Sequence, residues 1–202
     1  YLLVGQKSGD VYALDPDKGG AVVWHNKVGR GGFLGGVHWG MSANGDSLFV
    51  PIADTTITGR FSGPVSPGIH ALDPTSGEVR WYTPSVADCD GKSPIPVCDQ
   101  GMSAAITSTD QLVFAGSLDG NLNVYDSLSG EILWSFDTFG DFESVSGDTA
   151  LGGSIESDGP VLYKGHVLIN SGYQFGARMP GNALMVFSLP PEADLARSTR
   201  DE

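Results

Sequence analysis

The sequence predicts an all-β protein, a β-propeller of four-stranded antiparallel blades. Three observations lead there. One phrase, a strand, an Asp-led turn, a Gly and then a strand carrying Trp, occurs three times: Val11 to Trp24, Ile69 to Trp81 and Asn123 to Trp134. It recurs at a long, nearly constant period: Asp15, Asp73 and Asp126 lie 58 and 53 residues apart, and Trp24, Trp81 and Trp134 lie 57 and 53 apart. A fourth group of strands follows without the phrase's ending. Such a period is the mark of a repeat architecture, and it far exceeds that of leucine-rich or ankyrin repeats. Short strands grouped in fours fit propeller blades. A β-sandwich with coincidental tryptophans is the alternative, and three aligned Asp–Trp pairs argue against it.

Taken in order, the first group has a strand at 2–4 and a hairpin turning at Asp15-Pro16-Asp17 and ending on Trp24. The second has a strand at 47–50 and a hairpin turning at 73–77 before Trp81. The third has a strand at 111–115 and a hairpin turning at 126–130 before Trp134. Asp at the head of each turn can accept hydrogen bonds from its own backbone, and Gly at the end tolerates positive φ. The fourth group, 167–170 and 182–187, lacks the Asp-turn-Trp ending. Trp24, Trp81 and Trp134 are read as packing between blades. Residues 1–189 thus form a partial propeller of about three and a half to four blades. Residues 190–202 form a polar tail, frayed or weakly helical.

The strand count exposes a deficit. The first blade begins inside its second strand and the last stops after its third. Eight blades of this length would take on the order of 400 residues. An open half-ring would leave unpaired strand edges and an apolar blade face at each end. Three arrangements are open: this is the C-terminal half of a longer protein, a second chain completes the ring, or four blades close alone. The first is the preferred reading. The absence of an initiator Met and of a signal peptide fits a mature, processed or excised chain.

Forty per cent hydrophobic residues suffice for a core, and 29 Gly with 12 Pro suit a turn-rich β protein. Acids outnumber bases 24 to 11, a net charge of −13, which argues against nucleic acid and anionic membrane surfaces as partners. No apolar run reaches the length of a membrane span. Cys89 and Cys98 lie in one Pro- and Gly-containing loop. A disulfide there is the favoured reading and points to an oxidising compartment, periplasmic or extracellular. Free thiols, or half of a zinc site, are the alternatives.

Function in a propeller is expected on the face shared by the loops that lead into the innermost strands and those joining second to third strands. The first kind comprises 35–41, 99–104 and 151–156; the second comprises 53–68, 116–120 and 171–181. They place His38, Trp39, Gln100, Ser154, Arg60, Tyr173 and Arg178 as candidate cofactor-binding residues. Aromatic stacking from Trp39 and charge-assisted bonds from Arg60 and Arg178 suit a flat polyanionic ligand. Packing for Trp39 and loop-pinning for the two arginines are the competing readings. Glu156 and Asp158 are read as solvated acids rather than calcium ligands, and no metal site is assigned.

The segment Ala71-Leu72-Asp73-Pro74-Thr75-Ser76-Gly77-Glu78-Val79-Arg80-Trp81 resembles the tryptophan-docking repeat of dehydrogenases that use pyrroloquinoline quinone (PQQ). Residues 35–41, 152–154, 170–173 and 179–182 are similar to the C-terminal half of polyvinyl-alcohol-dehydrogenase-like quinoproteins. That resemblance implies an eight-bladed ring, usually secreted or periplasmic, binding PQQ and often calcium. It implies oxidation of a small or polymeric alcohol, with an acidic base taking the alcohol proton and a cation polarising the quinone. The adjacent-cysteine disulfide of many such enzymes is absent, because eight residues separate Cys89 from Cys98. A catalytic base is not assigned by motif. The alternative functions are a non-catalytic binding or assembly scaffold and an extracellular structural protein.

Overall fold

The computed structural model of the protein describes residues 1–55, 61–93, 97–173, 176 and 178–189. The tail at 190–202 lies outside them. Five antiparallel sheets follow one another along the chain. The first blade has three strands, β1 (Leu2–Gly5), β2 (Asp10–Asp15) and β3 (Ala21–Lys27). The second has four, β4 (Ser42–Ala43), β5 (Leu48–Ile52), β6 (Gly68–Leu72) and β7 (Val79–Pro84). The third also has four, β8 (Thr107–Ser108), β9 (Leu112–Gly116), β10 (Asn121–Asp126) and β11 (Ile132–Asp137). A hairpin of β12 (Gly140–Glu143) and β13 (Thr149–Gly152) precedes the last blade, β14 (Val161–Tyr163), β15 (His166–Ser171) and β16 (Ala183–Ser188). This is a partial propeller, as the repeat predicts.

The β12–β13 hairpin is a departure from the sequence reading, which takes Leu151 and Gly152 into an inward-leading loop. Both lie in β13 and pair with Asp141 and Gly140. The hairpin carries no repeat phrase, and its alternation is short, so periodicity alone does not mark it.

Successive strand residues point to opposite faces, and the middle blades use both. On β5, Leu48, Val50 and Ile52 pack with Val11, Ala13 and Trp24 of the first blade. The intervening Phe49 packs with Met102, Val113, Ala115 and Tyr125 of the third. All five β5 residues are consequently buried. A third cluster joins Ala104 and Leu122 to Ile155 and Ile169 of the last blade. The core is therefore a series of blade-to-blade interfaces. The end blades bury one face only, and β16 alternates buried or half-buried residues with exposed Leu184 and Val186.

The tryptophans lock the rim. The Trp24 indole N–H donates to the Pro74 carbonyl at 3.0 Å, and that of Trp81 donates to the Ser127 carbonyl at 3.1 Å. Each ring lies on the glycine ending the next blade's turn. A Cβ on Gly77 would sit 2.5 Å from Trp24, and one on Gly130 would sit 2.5 Å from Trp81. Both glycines also hold φ +75°. The Asp heads of these turns act as expected: Asp73 Oδ1 accepts from the Thr75 and Ser76 amides, and Asp126 Oδ1 from those of Leu128 and Ser129. The Thr75 hydroxyl, then Arg80, then the Thr75 and Ser76 amides hold the Asp73 carboxyl well below the usual carboxylate range.

Cys89 and Cys98 form a disulfide, with Cα atoms 5.8 Å apart, so the free-thiol and zinc alternatives fall. The bridged loop is anchored to the third blade. Lys92 donates to the Asp119 carbonyl at 2.8 Å and pairs with Asp137 at 3.0 Å.

Candidate functional site at the propeller axis

The backbone sets up one position three times. The segment leading into each inner strand is stitched to the loops beyond neighbouring second strands. Val37 N donates to Gln6 O, Met102 N to Ile52 O and Ile155 N to Ser117 O, at 3.1, 3.2 and 3.1 Å. One residue earlier, the carbonyls of Gly36, Gly101 and Ser154 accept from Ala53, Leu118 and Gly172. Val37, Met102 and Ile155 are therefore equivalent, and all are buried. The residues that follow them, His38, Ser103 and Glu156, one from each of three consecutive blades, are equivalent too; Ser103 and Glu156 are buried and His38 is half-buried. Two buried acids help fix these segments. Asp54 accepts from the amides of Arg30, Gly31, Gly36 and Ser66 at 2.7–3.1 Å. Asp119, its counterpart in the third blade, accepts from the amides of Asp88 and Asn121 at 3.0 and 3.2 Å.

The three equivalent side chains bond to each other. His38 Nδ1 lies 2.6 Å from Ser103 Oγ, and Ser103 Oγ donates to Glu156 Oε1 at 3.0 Å. Arg178, from the β15–β16 connection, brings its Nε to 3.7 Å from Glu156 Oε2, and both side chains are fully enclosed. The Lys7 ammonium, on the β1–β2 turn, bears on both His38 and Glu156. Burial pushes the His38 imidazole down to about 4, helped by the Lys7 and Arg178 charges. Burial pushes the Glu156 carboxyl up, against the Ser103 hydrogen bond and the two cations. At neutral pH His38 is therefore a neutral imidazole.

Of the residues picked from sequence, His38 and Arg178 meet at this cluster. Trp39 stands beside it, 47% exposed, its ring centre 5.1 Å from that of His38. Ser154 is taken up by the backbone: its hydroxyl donates to Leu118 O at 2.6 Å and accepts from Met179 N at 3.1 Å. It thereby pins the connection that carries Arg178. Gln100 is half-buried, and Tyr173 is exposed. Arg60 lies outside the described residues. Two members of the cluster escape sequence reasoning. Ser103 sits in an unremarkable Gly-Met-Ser-Ala run. Glu156 is not the solvated acid expected; it is 2% exposed and bonded inward, whereas Asp158 is exposed. Alignment of the three lead-in segments on their buried apolar residue would have found both.

A cavity of about 440 Å³ borders the cluster, lined by Leu3, Val4, Gly5, His38, Trp39 and Met41 among others. It runs along β1, which pairs only with β2, in the place where other blades carry their inner strand. It is a groove along a strand edge rather than a pocket closed over the axis. Among the described residues no group of three or more His, Cys, Asp or Glu is arranged to hold a metal ion.

The comparisons with known proteins agree with this architecture. Residues 7–153 and 66–177 match the PQQ_2 family, described as outer membrane protein assembly factor BamB. A polyvinylalcohol dehydrogenase from Pseudomonas sp is 35% identical over 199 residues, covering 94% of this chain and 30% of that protein. A 1-butanol dehydrogenase (cytochrome c) from Thauera butanivorans is 33% identical over 112 residues, covering 54% of this chain and 15% of that protein. BamB from Moraxella catarrhalis superposes with a TM-score of 0.56 at 19% identity, over 84% of this chain and 43% of that one. The chain thus spans less than a third of the length of these curated relatives.

Proposed function

The chain belongs to the PQQ_2 family, and from that premise we propose that it forms part of the propeller of a PQQ-dependent alcohol dehydrogenase acting on polyvinyl alcohol or a related alcohol. The observation that carries the reading is the axial cluster of His38, Ser103, Glu156 and Arg178. A propeller that serves only as a scaffold has no need of a buried ionised network where its blades converge, since burying a charge pair rarely adds net stability.

PQQ, when bound, supplies the two-electron acceptor chemistry that side chains lack. Its fit here can be judged from this chain. A planar polyanion asks for cations and an exposed flat ring on one face. Lys7 and Trp39 offer both beside His38, while Arg178 is enclosed against Glu156. Calcium does not fit the described residues alone. Glu156 is bonded to Ser103 and faces Arg178, and a divalent cation there would meet two fixed positive charges. No step is derived through calcium. The disulfide supports a periplasmic or extracellular location. The described residues contain no helix long and apolar enough to cross a membrane.

The test uses the complete protein. PQQ is expected to raise its melting temperature, and alcohol is expected to reduce an artificial electron-acceptor dye in its presence. The absence of both a shift and turnover would reject the enzyme reading and leave the assembly role that the family description names.

A further inference from the structure

We propose that His38, Ser103 and Glu156 form a proton relay, in which a proton taken up at Nε2 of His38 is stored on Glu156. The inference rests on the dehydrogenase reading for its proton source, but the relay itself is a property of this chain.

The hydrogen-bond directions follow from the inventory of donors. A carboxylate only accepts, so the single Ser103 proton points at Glu156 Oε1, 3.0 Å away. With that proton committed, the 2.6 Å contact between His38 and Ser103 requires the histidine to be the donor. Its proton therefore sits on Nδ1, and Nε2 carries the lone pair. Nε2 makes no hydrogen bond among the described residues, whereas Nδ1 is engaged. The ring stands beside exposed Trp39, and Nε2 is not among the enclosed unpartnered atoms, whereas the Glu156 side chain is fully enclosed. The free basic nitrogen is thus the outer end of the chain, and the carboxylate is the enclosed end.

The step balances without any further reactant on the protein side. The alcohol O–H proton passes to His38 Nε2. The Nδ1 proton passes to Ser103 Oγ, and the Ser103 proton passes to Glu156 Oε1. The histidine ends neutral in its other tautomer, Ser103 is again a hydroxyl, and Glu156 becomes a carboxylic acid. The C–H hydrogen would leave with its bonding electron pair as a hydride equivalent, for which bound PQQ would be the acceptor, so the carbinol becomes a carbonyl and one proton is left to the relay. Return of the proton reverses the three transfers. The environment favours storage at the acid end. Burial lifts Glu156 above its usual value, while burial and the Lys7 and Arg178 charges push His38 down to about 4. The two shifts run in opposite senses, and both favour the proton on Glu156 rather than on His38. Lys7 and Arg178 are the charged groups bearing on the pair, and both oppose a lasting imidazolium.

A purely mechanical role, tying three blades together, predicts different results. Two measurements separate them. The first needs no cofactor: histidine nitrogen NMR and carboxyl infrared spectroscopy on the protein between pH 8 and 4. The relay requires a neutral Nδ1–H tautomer of His38 at pH 7 and protonation of Glu156 before His38. An Nε2–H tautomer at pH 7, or an imidazolium that forms first, overturns it. The second is the pH profile of alcohol-driven dye reduction by the complete, PQQ-loaded protein. Ser103→Ala should lower kcat at least tenfold with KM nearly unchanged, and Glu156→Gln should abolish the acid limb of the profile. Ser103→Thr, which keeps the hydroxyl, should restore most of the rate. Unchanged profiles in folded Ser103→Ala and Glu156→Gln overturn the relay. Absence of turnover in the wild-type protein instead overturns the dehydrogenase reading, and the spectroscopic result then decides the relay by itself.

Discussion

At the rim, successive blades repeat the same residues; at the axis, they change them. Trp24 and Trp81 each lay an indole on the glycine of the next turn and donate to a carbonyl there. The job at every interface is the same, so the same residue serves. At the axis the backbone again provides one position per blade, but it holds His38, Ser103 and Glu156. Side chains that meet around an axis must complement each other: a donor, a group that both accepts and donates, and an acceptor. Identity at the rim and difference at the axis come from the same repeat. Mechanical docking runs from one blade to the next, whereas polar bonding closes among the blades.

The sharpest break in this contrast is at Arg178. Arg178→Met leaves Glu156 enclosed without its cation, and the loss at neutral pH should be about 3–5 kcal/mol. The deficit should shrink as pH falls, because Glu156 can then be neutralised; urea denaturation at pH 7 and pH 5 would read both. A rim substitution should show no such pH dependence. Trp81→Ala removes an indole between two blades and should cost about 3 kcal/mol at either pH. Trp134, 41% exposed near the last blade, should cost less than Trp81. Equal losses would mean that docking is not what the rim tryptophans do.

The linker between rim and axis comes next. The bond between Cys89 and Cys98 closes the segment that leads from the second blade's Trp strand to Ser103. Cys89→Ala with Cys98→Ala should lower stability by about 2–3 kcal/mol on the chain-entropy account, with the double mutant compared to wild type under oxidising conditions. Gly130→Ala should cost about 2 kcal/mol, from a Cβ pressed on Trp81 and a positive φ. Gly20, the matching glycine of the first turn, has φ +79° but nothing within 4 Å of a Cβ. Gly20→Ala should therefore cost only the backbone part, about 1 kcal/mol. The histidine's effect is a slope with pH rather than a fixed loss. Its folded value lies below the unfolded one, so the unfolded chain binds the extra proton. Stability should fall as pH drops from 6.5 toward 4, and His38→Asn should flatten that slope. Glu156, raised in the fold, acts in the opposite sense just above its unfolded value, gaining stability as pH falls.

Much of this was legible beforehand. The hairpins, the docking tryptophans and the disulfide loop all follow from local chemistry, most of it repeated at a long period. Sequence proximity placed His38 with Trp39 and marked the connection bearing Arg178. It also marked Ser154 for a ligand, but that hydroxyl is spent between Leu118 and Met179. Ser103 and Glu156 were hidden because their meaning lies in partners 65 and 53 residues away along the chain. Nothing in either local sequence distinguishes them from a surface serine and a solvated acid.

The sequence by itself determined the architecture, since turns, alternation and an indole-on-glycine contact are each encoded within a few residues and then repeated. Only the tertiary structure decided which side chains share the axis and in what protonation state. Convergence of three blades removes water from Glu156 and His38 together, and it is this shared burial, beside Lys7 and Arg178, that turns three unrelated residues into one hydrogen-bonded chain.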